Sequence, residues 1–137
     1  MPIVTVEVVT GANDGIAQDL AQSLADVIGR ALKSPPGHTW VRVRSVRRDQ
    51  YAENEVPLEA AQLPVFVTIL KRQASQRAEL EAEVTVLTDA VAQVIGRPVA
   101  CVHIEYAPAA GAKPRTRDVR VERRVRRRGI RHPLHGL

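Results

Sequence analysis

Cysteine, aromatic residues and long apolar runs are all scarce in this sequence. Cys101 is the only cysteine among 137 residues, so an intramolecular disulfide is excluded, which fits a reducing compartment. Phe, Trp and Tyr make up 3% of the chain, too few for the stacking platforms of most single-strand nucleic-acid binders. No apolar run is long enough to span a membrane, and the N-terminus has no signal-peptide pattern. We therefore expect a cytoplasmic protein without a membrane segment.

Motifs of several common enzyme classes are also absent from the sequence. It contains no Gly-rich phosphate loop, no dinucleotide-binding fingerprint and no Ser, His and Asp order typical of hydrolases. His132 and His135 stand near the C-terminus without the further Cys, Asp or Glu ligands that a zinc site needs. We predict neither a metal site nor a cofactor.

Positive charge is concentrated at one end of the chain. The formal net charge is +5, yet residues 1–112 contain 10 Lys or Arg and 13 Asp or Glu, whereas residues 113–137 contain 10 and 2. We predict a folded domain over residues 1–112. The basic C-terminal tail, residues 113–137, is expected to be disordered or loosely attached, because like charges repel and little apolar surface is available to bury. Nucleic-acid binding is left open for this tail alone and is not expected of the folded domain.

The first half of the domain has the pattern of a βαβ unit. The β-branched segment 2–9 predicts a strand. Apolar residues at spacings of three and four over residues 15–33 predict an amphipathic helix, capped by Asn13 or Asp14. Alternation of valine and arginine predicts a second strand over residues 39–46.

The second half repeats this plan. Segments 64–70 and 99–106 are predicted strands, and residues 75–96 are a predicted helix broken by Arg97-Pro98. The two units, about residues 2–48 and 64–108, indicate an internal duplication.

Matching positions in the two units lie at nearly constant offsets. Pro2 and Pro64 are 62 residues apart, and Arg42 and His103 are 61 apart. Trp40 and Cys101 match each other in the same way and are predicted to be packing residues.

Two right-handed βαβ units side by side predict an α+β fold, a four-stranded sheet with two helices on one face. The chain offers no third helix for the other sheet face. We expect partner subunits to cover it.

Several of these features together carry a resemblance to a known superfamily. Met1-Pro2 at the start of a strand, a helix of about 20 residues and the strand Val41-Arg42-Val43 resemble the 4-oxalocrotonate tautomerases (4-OT). The doubled βαβ length resembles the macrophage migration inhibitory factor (MIF) and cis-3-chloroacrylic acid dehalogenase branches, and Val102 to Tyr106 is similar to the last core strand of those long forms. The resemblance covers residues 2 to about 108. It implies the tautomerase/MIF-like fold, a homotrimer and catalysis by the amino-terminal proline.

Pro2 has the chemistry that such catalysis requires. Removal of Met1 would leave a free secondary amine, and an α-amino group already titrates well below lysine. Burial and nearby cations lower such a pKa further, because both disfavour the charged form. A neutral amine at pH 7 can take a proton from the carbon beside a carbonyl and return it elsewhere. Pro64 holds the matching place in the second unit, but its nitrogen is an amide without basicity. The alternative for Pro2 is a strand-initiating residue without chemistry.

The resemblance assigns carboxylate binding to four basic residues. Arg42 aligns with a substrate-binding arginine in the second strand of the short tautomerases, and its forked guanidinium suits an oxo acid and a developing dienolate. Arg44 shares its strand face and either binds substrate too or belongs to a solvated or intersubunit charged face. Dehalogenase-like members carry an arginine pair after the first strand of the second unit, which assigns the same role to Lys71 and Arg72.

Three further polar residues are candidates for the site. His103 and Glu105 are predicted to point to the sheet face of Arg42 and Arg44. In long members of the superfamily, polar residues on this strand reach the proline of a neighbouring subunit, so His103 would orient a carbonyl and Glu105 would activate water in a hydratase-type reaction. The alternative for both is a hydrogen-bonded intersubunit residue. Tyr51 is predicted either to close the pocket or to anchor its loop with the ring on the core.

Together these features predict a tautomerase that acts on a small 2-oxo acid, such as a phenylpyruvate-like compound. Hydration, dehalogenation or decarboxylation of a small acid on the same site is the alternative. A nucleic-acid-binding module and a non-catalytic oligomeric relative are further alternatives. The last of these rests on Ala12, which stands where the short tautomerases carry an arginine.

Overall fold

The computed structural model describes residues 1–11, 15–73 and 75–108. Its strands and helices follow the predicted βαβ-βαβ order. They are β1 (Ile3–Thr10), α1 (Leu20–Ala31), β2 (Trp40–Arg47), β3 (Val65–Leu70), α2 (Arg77–Ile95) and β4 (Val102–Ala107). Short 3-10 turns lie at Arg48–Gln50, Ala60–Gln62 and Val99–Cys101. Ala12, Asn13, Asp14 and the tail 113–137 lie outside the described residues, so the predictions made for them stay predictions.

The four strands form one mixed sheet in the order β2-β1-β3-β4. Each βαβ unit contributes a parallel pair, β1 with β2 and β3 with β4. The two units join through the antiparallel pair β1–β3, in which Val6 lies opposite Val67. The predicted architecture of two helices on one side of a four-stranded sheet is confirmed.

Alternation along the strands decides which sheet face is buried. Val4 and Val6 in β1, and Val65 and Val67 in β3, are fully buried, and they belong to one cluster with the apolar residues of both helices. The helix residues of that cluster include Leu24, Ile28, Val84, Leu87 and Val91. Because side chains i and i+2 share a face, the helices pack on this side of the sheet, where Val41 and Val43 of the edge strand β2 are only partly buried.

The opposite face, which we call the open face, carries polar side chains in rows across the sheet. One row runs Arg42, Thr5, Thr68, Glu105, and the next runs Arg44, Glu7, Phe66, His103. Arg42 and Arg44 are exposed, and the central residues are half-buried. The prediction that His103 and Glu105 share a face with Arg42 and Arg44 is thereby confirmed.

Both helices are shorter than their sequence patterns predict. α1 begins at Leu20 rather than near residue 15, because Gly15 and Asp19 are poor residues for a helix interior. α2 ends at Ile95, where Gly96 adopts a left-handed conformation with φ 76° and its N–H bonds to the carbonyl oxygen of Ala92. The glycine therefore ends this helix two residues before Pro98.

The pairing corrects the repeat alignment at the prolines. Ile3 lies on the open face, whereas Val65, 62 residues later, lies on the helix side. Because side chains alternate between the two faces, positions that share a face in β1 and β3 are separated by an odd number of residues. Arg42 and His103, 61 residues apart, share a face. Pro2 and Pro64, 62 apart, precede residues on opposite faces, so Pro64 is not the spatial counterpart of Pro2.

Trp40 and Cys101 also differ in environment. Cys101 is buried, as predicted, whereas Trp40 is 50% exposed within one chain, and its indole N–H donates to the carbonyl oxygen of Gly37 at 3.1 Å. The prediction of packing for Trp40 is wrong for the isolated chain, because Trp40 begins an edge strand on the open face. Neither described helix is long and apolar enough to cross a membrane.

Arg97 links the two βαβ units behind the sheet. Its guanidinium donates to the carbonyl oxygen of Leu63 at 2.7 Å and to that of Val9 at 2.9 Å. One side chain thus provides hydrogen-bond donors for a carbonyl group at the end of β1 and for another just before β3. A hydrogen bond from a charged donor stabilises a fold more than a neutral one does.

We predict that Arg97→Ala lowers the free energy of unfolding by about 2 kcal/mol, because two carbonyl groups lose a charged donor. Arg97→Lys should lose about half of that, since an ammonium cannot reproduce the forked geometry. Urea unfolding followed by circular dichroism measures both. The control is Arg77→Ala, whose exposed ion pair with Glu81 spans 3.6 Å and contributes little. Equal stability of the Arg97 and Arg77 variants would contradict the assignment.

Candidate functional site

A cavity of about 260 Å³ lies at the sheet edge where β1 and β2 begin and β3 ends. The α1–β2 connection forms one wall, and the β3–α2 connection forms another. The lining residues are Met1, Pro2, Leu32, Ser34, Pro35, His38, Lys71, Arg72 and Gln73. This cavity, the Pro2 cavity hereafter, is the candidate site.

The strand directions explain why these segments meet. Parallel strands β1 and β2 begin at the same edge, so the end of the α1–β2 connection returns to Pro2. The carbonyl oxygen of Pro2 accepts a hydrogen bond from the backbone N–H of Trp40 at 3.1 Å, which fixes Pro2 beside β2. β3 runs antiparallel to β1, so Lys71 and Arg72, directly after β3, arrive at the same edge.

The lining of the Pro2 cavity is basic at one wall and apolar at another. Lys71, Arg72 and His38 contribute basic groups, and Leu32 and Pro35 contribute apolar surface. Within the described part of the chain, the lining includes no Asp or Glu. Such a lining favours an anionic ligand with an apolar portion and disfavours a second positive charge.

Lys71 belongs to a hydrogen-bonded cluster behind the cavity. Its ammonium donates to Glu83 Oε1 at 2.7 Å and to Ser75 Oγ at 3.1 Å. The hydroxyl of Tyr106 donates to the other oxygen of Glu83. Burial, followed by the hydrogen bond to Glu83 and its negative charge, raises the pKa of Tyr106 far above the ordinary value. Tyr106 is therefore a neutral donor throughout the physiological range.

The structure brings three of the predicted site residues together. Pro2, Lys71 and Arg72 all line one cavity, although Pro2 and Lys71 are 69 residues apart in the sequence. Arg72 is exposed, and among residues 1–11, 15–73 and 75–108 no acidic side chain forms an ion pair with it.

Four other predicted residues lie away from the Pro2 cavity of their own chain. Arg42 and Arg44 project from the edge strand β2 onto the open face, and His103 and Glu105 do so from the opposite edge strand β4. Three strand spacings, about 14 Å, separate the two edge strands. Within one chain, these residues do not converge on Pro2.

Tyr51 lies against the sheet rather than at the Pro2 cavity. Its ring centroid is 5.7 Å from that of Phe66, which in turn stacks on His103 at 5.2 Å. Its hydroxyl donates to Glu53 Oε2 at 2.7 Å. The ring therefore lies on the open face beside Phe66 rather than on the core, and the role predicted for Tyr51 stays a prediction. Tyr51 also lines a second, open groove with Arg47, Arg48, Asp49 and Leu58.

His38 and Glu83 are among the residues of the site that were not predicted from the sequence. His38 follows from topology alone, because the residues before β2 must approach the start of β1. Glu83 left a clearer signal, since it is a carboxylate within the apolar stripe of Leu80, Val84 and Leu87. No group of three or more His, Cys, Asp or Glu residues in the described ranges could hold a metal ion.

No protein-family model matches the chain, and no curated protein matches it significantly. Solved structures do match. A wild-type fused 4-OT, an asymmetric trimer, is 15% identical with a TM-score of 0.61, over 77% of this chain and 84% of that one. The MIF from Trichinella spiralis is 16% identical with a TM-score of 0.55, over 76% and 86%. An FG41 malonate semialdehyde decarboxylase inhibited by 3-bromopropiolate is 10% identical with a TM-score of 0.59, over 78% and 83%.

These matches are members of the tautomerase superfamily, so the chain has the tautomerase-superfamily fold that its sequence predicts. The order of strands and the two helices on one face agree with that fold. At such low identities the likeness concerns the fold and does not define the reaction.

We predict that the stability provided by Tyr106 is lost at alkaline pH. The unfolded chain releases the phenolic proton above about pH 10, whereas the folded chain retains it. The unfolded state therefore binds fewer protons above that pH, and stability falls as the pH rises. Urea unfolding at pH 8 to 11, about the range in which tyrosine titrates, should show wild type losing its advantage over Tyr106→Phe. Parallel pH profiles of the two proteins would contradict the assignment.

Proposed function

We propose that this protein is a tautomerase that interconverts the keto and enol forms of a small 2-oxo acid, with the amine of Pro2 as general base and acid. The observation that carries the proposal is that Pro2 and Arg72 line one basic cavity in a chain of tautomerase-superfamily fold. Met1 lines the same cavity and is 48% exposed, so it is accessible to removal.

The proton transfer would proceed at the Pro2 nitrogen once Met1 is removed. The neutral secondary amine takes a proton from the carbon beside the keto group, and the electron pair of that C–H bond forms the enolate. The resulting ammonium then returns a proton to oxygen, or to a different carbon of the enolate. The positive charge of Arg72 at the cavity wall would favour the neutral form of this amine.

Arg72 is the residue best placed to bind the substrate carboxylate. It is exposed at the cavity wall, and a guanidinium can hold a carboxylate through two parallel hydrogen bonds. This contact would orient the 2-oxo group toward Pro2 and offset the negative charge of the enolate. The apolar wall of Leu32 and Pro35 would receive the rest of a phenylpyruvate-like substrate.

The open-face residues would act across a subunit boundary. We propose a homotrimer, as in the similar fused 4-OT, in which the open face of one chain meets its neighbours. Arg42 and Arg44 would then approach a neighbouring Pro2 cavity, and His103 and Glu105 would serve as positioning groups from the other edge. Such sharing accounts for four polar candidates that do not converge within one chain.

Decarboxylation of a small oxo acid is the second candidate function. The similar malonate semialdehyde decarboxylase supports it, and the same cavity offers the cations that would hold a carboxylate. Hydration or dehalogenation would require a carboxylate that activates water, which we assign to Glu105. Release of carbon dioxide from malonate semialdehyde without enol–keto turnover would favour this second candidate.

We predict that Pro2→Ala lowers the rate of phenylpyruvate tautomerisation by at least about 100-fold, the usual contribution of a general base. Ultraviolet absorbance follows the enol–keto conversion. Mass spectrometry of the wild type should show the chain without Met1. Pro57→Ala, an exposed proline in the β2–β3 connection, is the matched control and should retain the wild-type rate. Full activity in Pro2→Ala would refute the proline mechanism.

We predict that Thr68→Arg converts the trimer into monomers, because it places a charge at the centre of the open face. Gln93→Arg introduces the same side chain on the exposed surface of α2 and should leave the assembly intact. Sedimentation equilibrium measures the mass. Emission of Trp40, the only tryptophan, should shift to longer wavelength in monomers. A wild type that sediments as a monomer at every concentration would contradict the trimer.

A further inference from the structure

Lys71 lies near Pro2. The β1–β3 register pairs Ile3 with Leu70, and Lys71 directly follows Leu70 just as Pro2 directly precedes Ile3. Both residues line the Pro2 cavity. An unpaired ammonium at this position would be a second binding group for a carboxylate, beside Arg72.

The ammonium of Lys71 is, however, already neutralised. Glu83 Oε1 accepts a hydrogen bond from it at 2.7 Å, and the two side chains are only 18% and 14% exposed. Ser75 Oγ accepts a second hydrogen bond at 3.1 Å. An ion pair so shielded from water is weakened less by solvent and salt than a surface pair. A ligand carboxylate would have to displace Glu83 in order to use Lys71.

Glu83 is itself held from the other side. The hydroxyl of Tyr106 donates to its Oε2, while Lys71 occupies its Oε1. The ammonium also lies 5.9 Å from the centroid of the Tyr106 ring, within range of a cation–π attraction. Both carboxylate oxygens are therefore engaged, and rotation of Glu83 away from Lys71 would break two hydrogen bonds.

Arg72 remains as the uncommitted cation of this wall. It is exposed, and no ion pair joins it to an acidic residue in the described ranges. We propose that Glu83 is a specificity-determining residue, which by neutralising Lys71 leaves the cavity wall formed by Lys71 and Arg72 able to bind one carboxylate rather than two. The proposal deepens the proposed function, on which it rests, by naming Glu83 as the residue that favours oxo acids with a single carboxylate at this wall.

The test is a comparison of two inert acids that differ by one carboxylate, butyrate and succinate. Their dissociation constants are measured by calorimetry on the full chain after removal of Met1. The wild type should bind both with constants within about threefold of each other, because Glu83 already pairs with Lys71 and leaves Arg72 as the unpaired Lys or Arg of the described lining. Glu83→Gln should tighten succinate by about tenfold relative to butyrate, because it frees the ammonium of Lys71 without changing the size of the side chain.

A second background shows whether the effect passes through Lys71. In a Lys71→Met chain, Glu83→Gln should leave the ratio of the two constants unchanged, since no ammonium remains to be freed. Three results would overturn the proposal: a wild type that already prefers succinate by tenfold or more, an unchanged ratio in Glu83→Gln, or the same change in both backgrounds. Failure of the wild type to bind butyrate would also overturn it, because Arg72 would then not bind a carboxylate.

These binding measurements need no turnover. If Pro2→Ala kept full activity and refuted the proline mechanism, the binding constants of butyrate and succinate would still test the role of Glu83. Circular dichroism of each variant confirms that it is folded. If Glu83→Gln unfolds, Glu83→Met, which has a similar volume and no acceptor for the ammonium, frees Lys71 in the same way and takes its place in the comparison.

Discussion

The antiparallel pairing of β1 with β3 is the contact on which the rest of the structure depends. Its six residue pairs, from Ile3–Leu70 to Val8–Val65, join the two βαβ units and place both helices on one side of the sheet. The same pairing brings the end of β3 to the start of β1, so that Lys71 and Arg72 meet Pro2. A slip of one residue would move the buried valines of β3 to the open face and separate this site.

Much of the fold could be predicted because each element has a strong period. The valines of β1 and β3 alternate, and the apolar residues of α2 recur at helical spacing, so six elements were expected in the right order. The remaining differences lie at the ends of the helices, where hydrophobic periodicity gives no signal. α1 begins at Leu20 rather than near residue 15, and the left-handed Gly96 rather than Pro98 ends α2.

The site was predictable only in part, because contact between distant segments follows from register and not from composition. Lys71 and Arg72 were expected near Pro2 and are there. The roles of Glu83 and His38 depend on strand pairing. Only the pairing of β1 with β3 shows that Pro2 and Pro64 precede residues on opposite faces of the sheet. A charged residue inside an apolar helical stripe, as at Glu83, is the signal that sequence reasoning can use for such cases.

The distribution of cations couples assembly to chemistry. One chain places Arg72 at the Pro2 cavity, neutralises Lys71 with Glu83, and directs Arg42 and Arg44 to the open face. In the proposed trimer, Arg42 and Arg44 of a neighbouring chain are the described arginines that would add positive charge at Pro2. A substrate whose enolate needs more stabilisation than Arg72 provides would be turned over only by the assembled protein. The Lys71–Glu83 pair would then determine how many substrate carboxylates this wall binds. The subunit contact would determine how much positive charge stabilises the enolate.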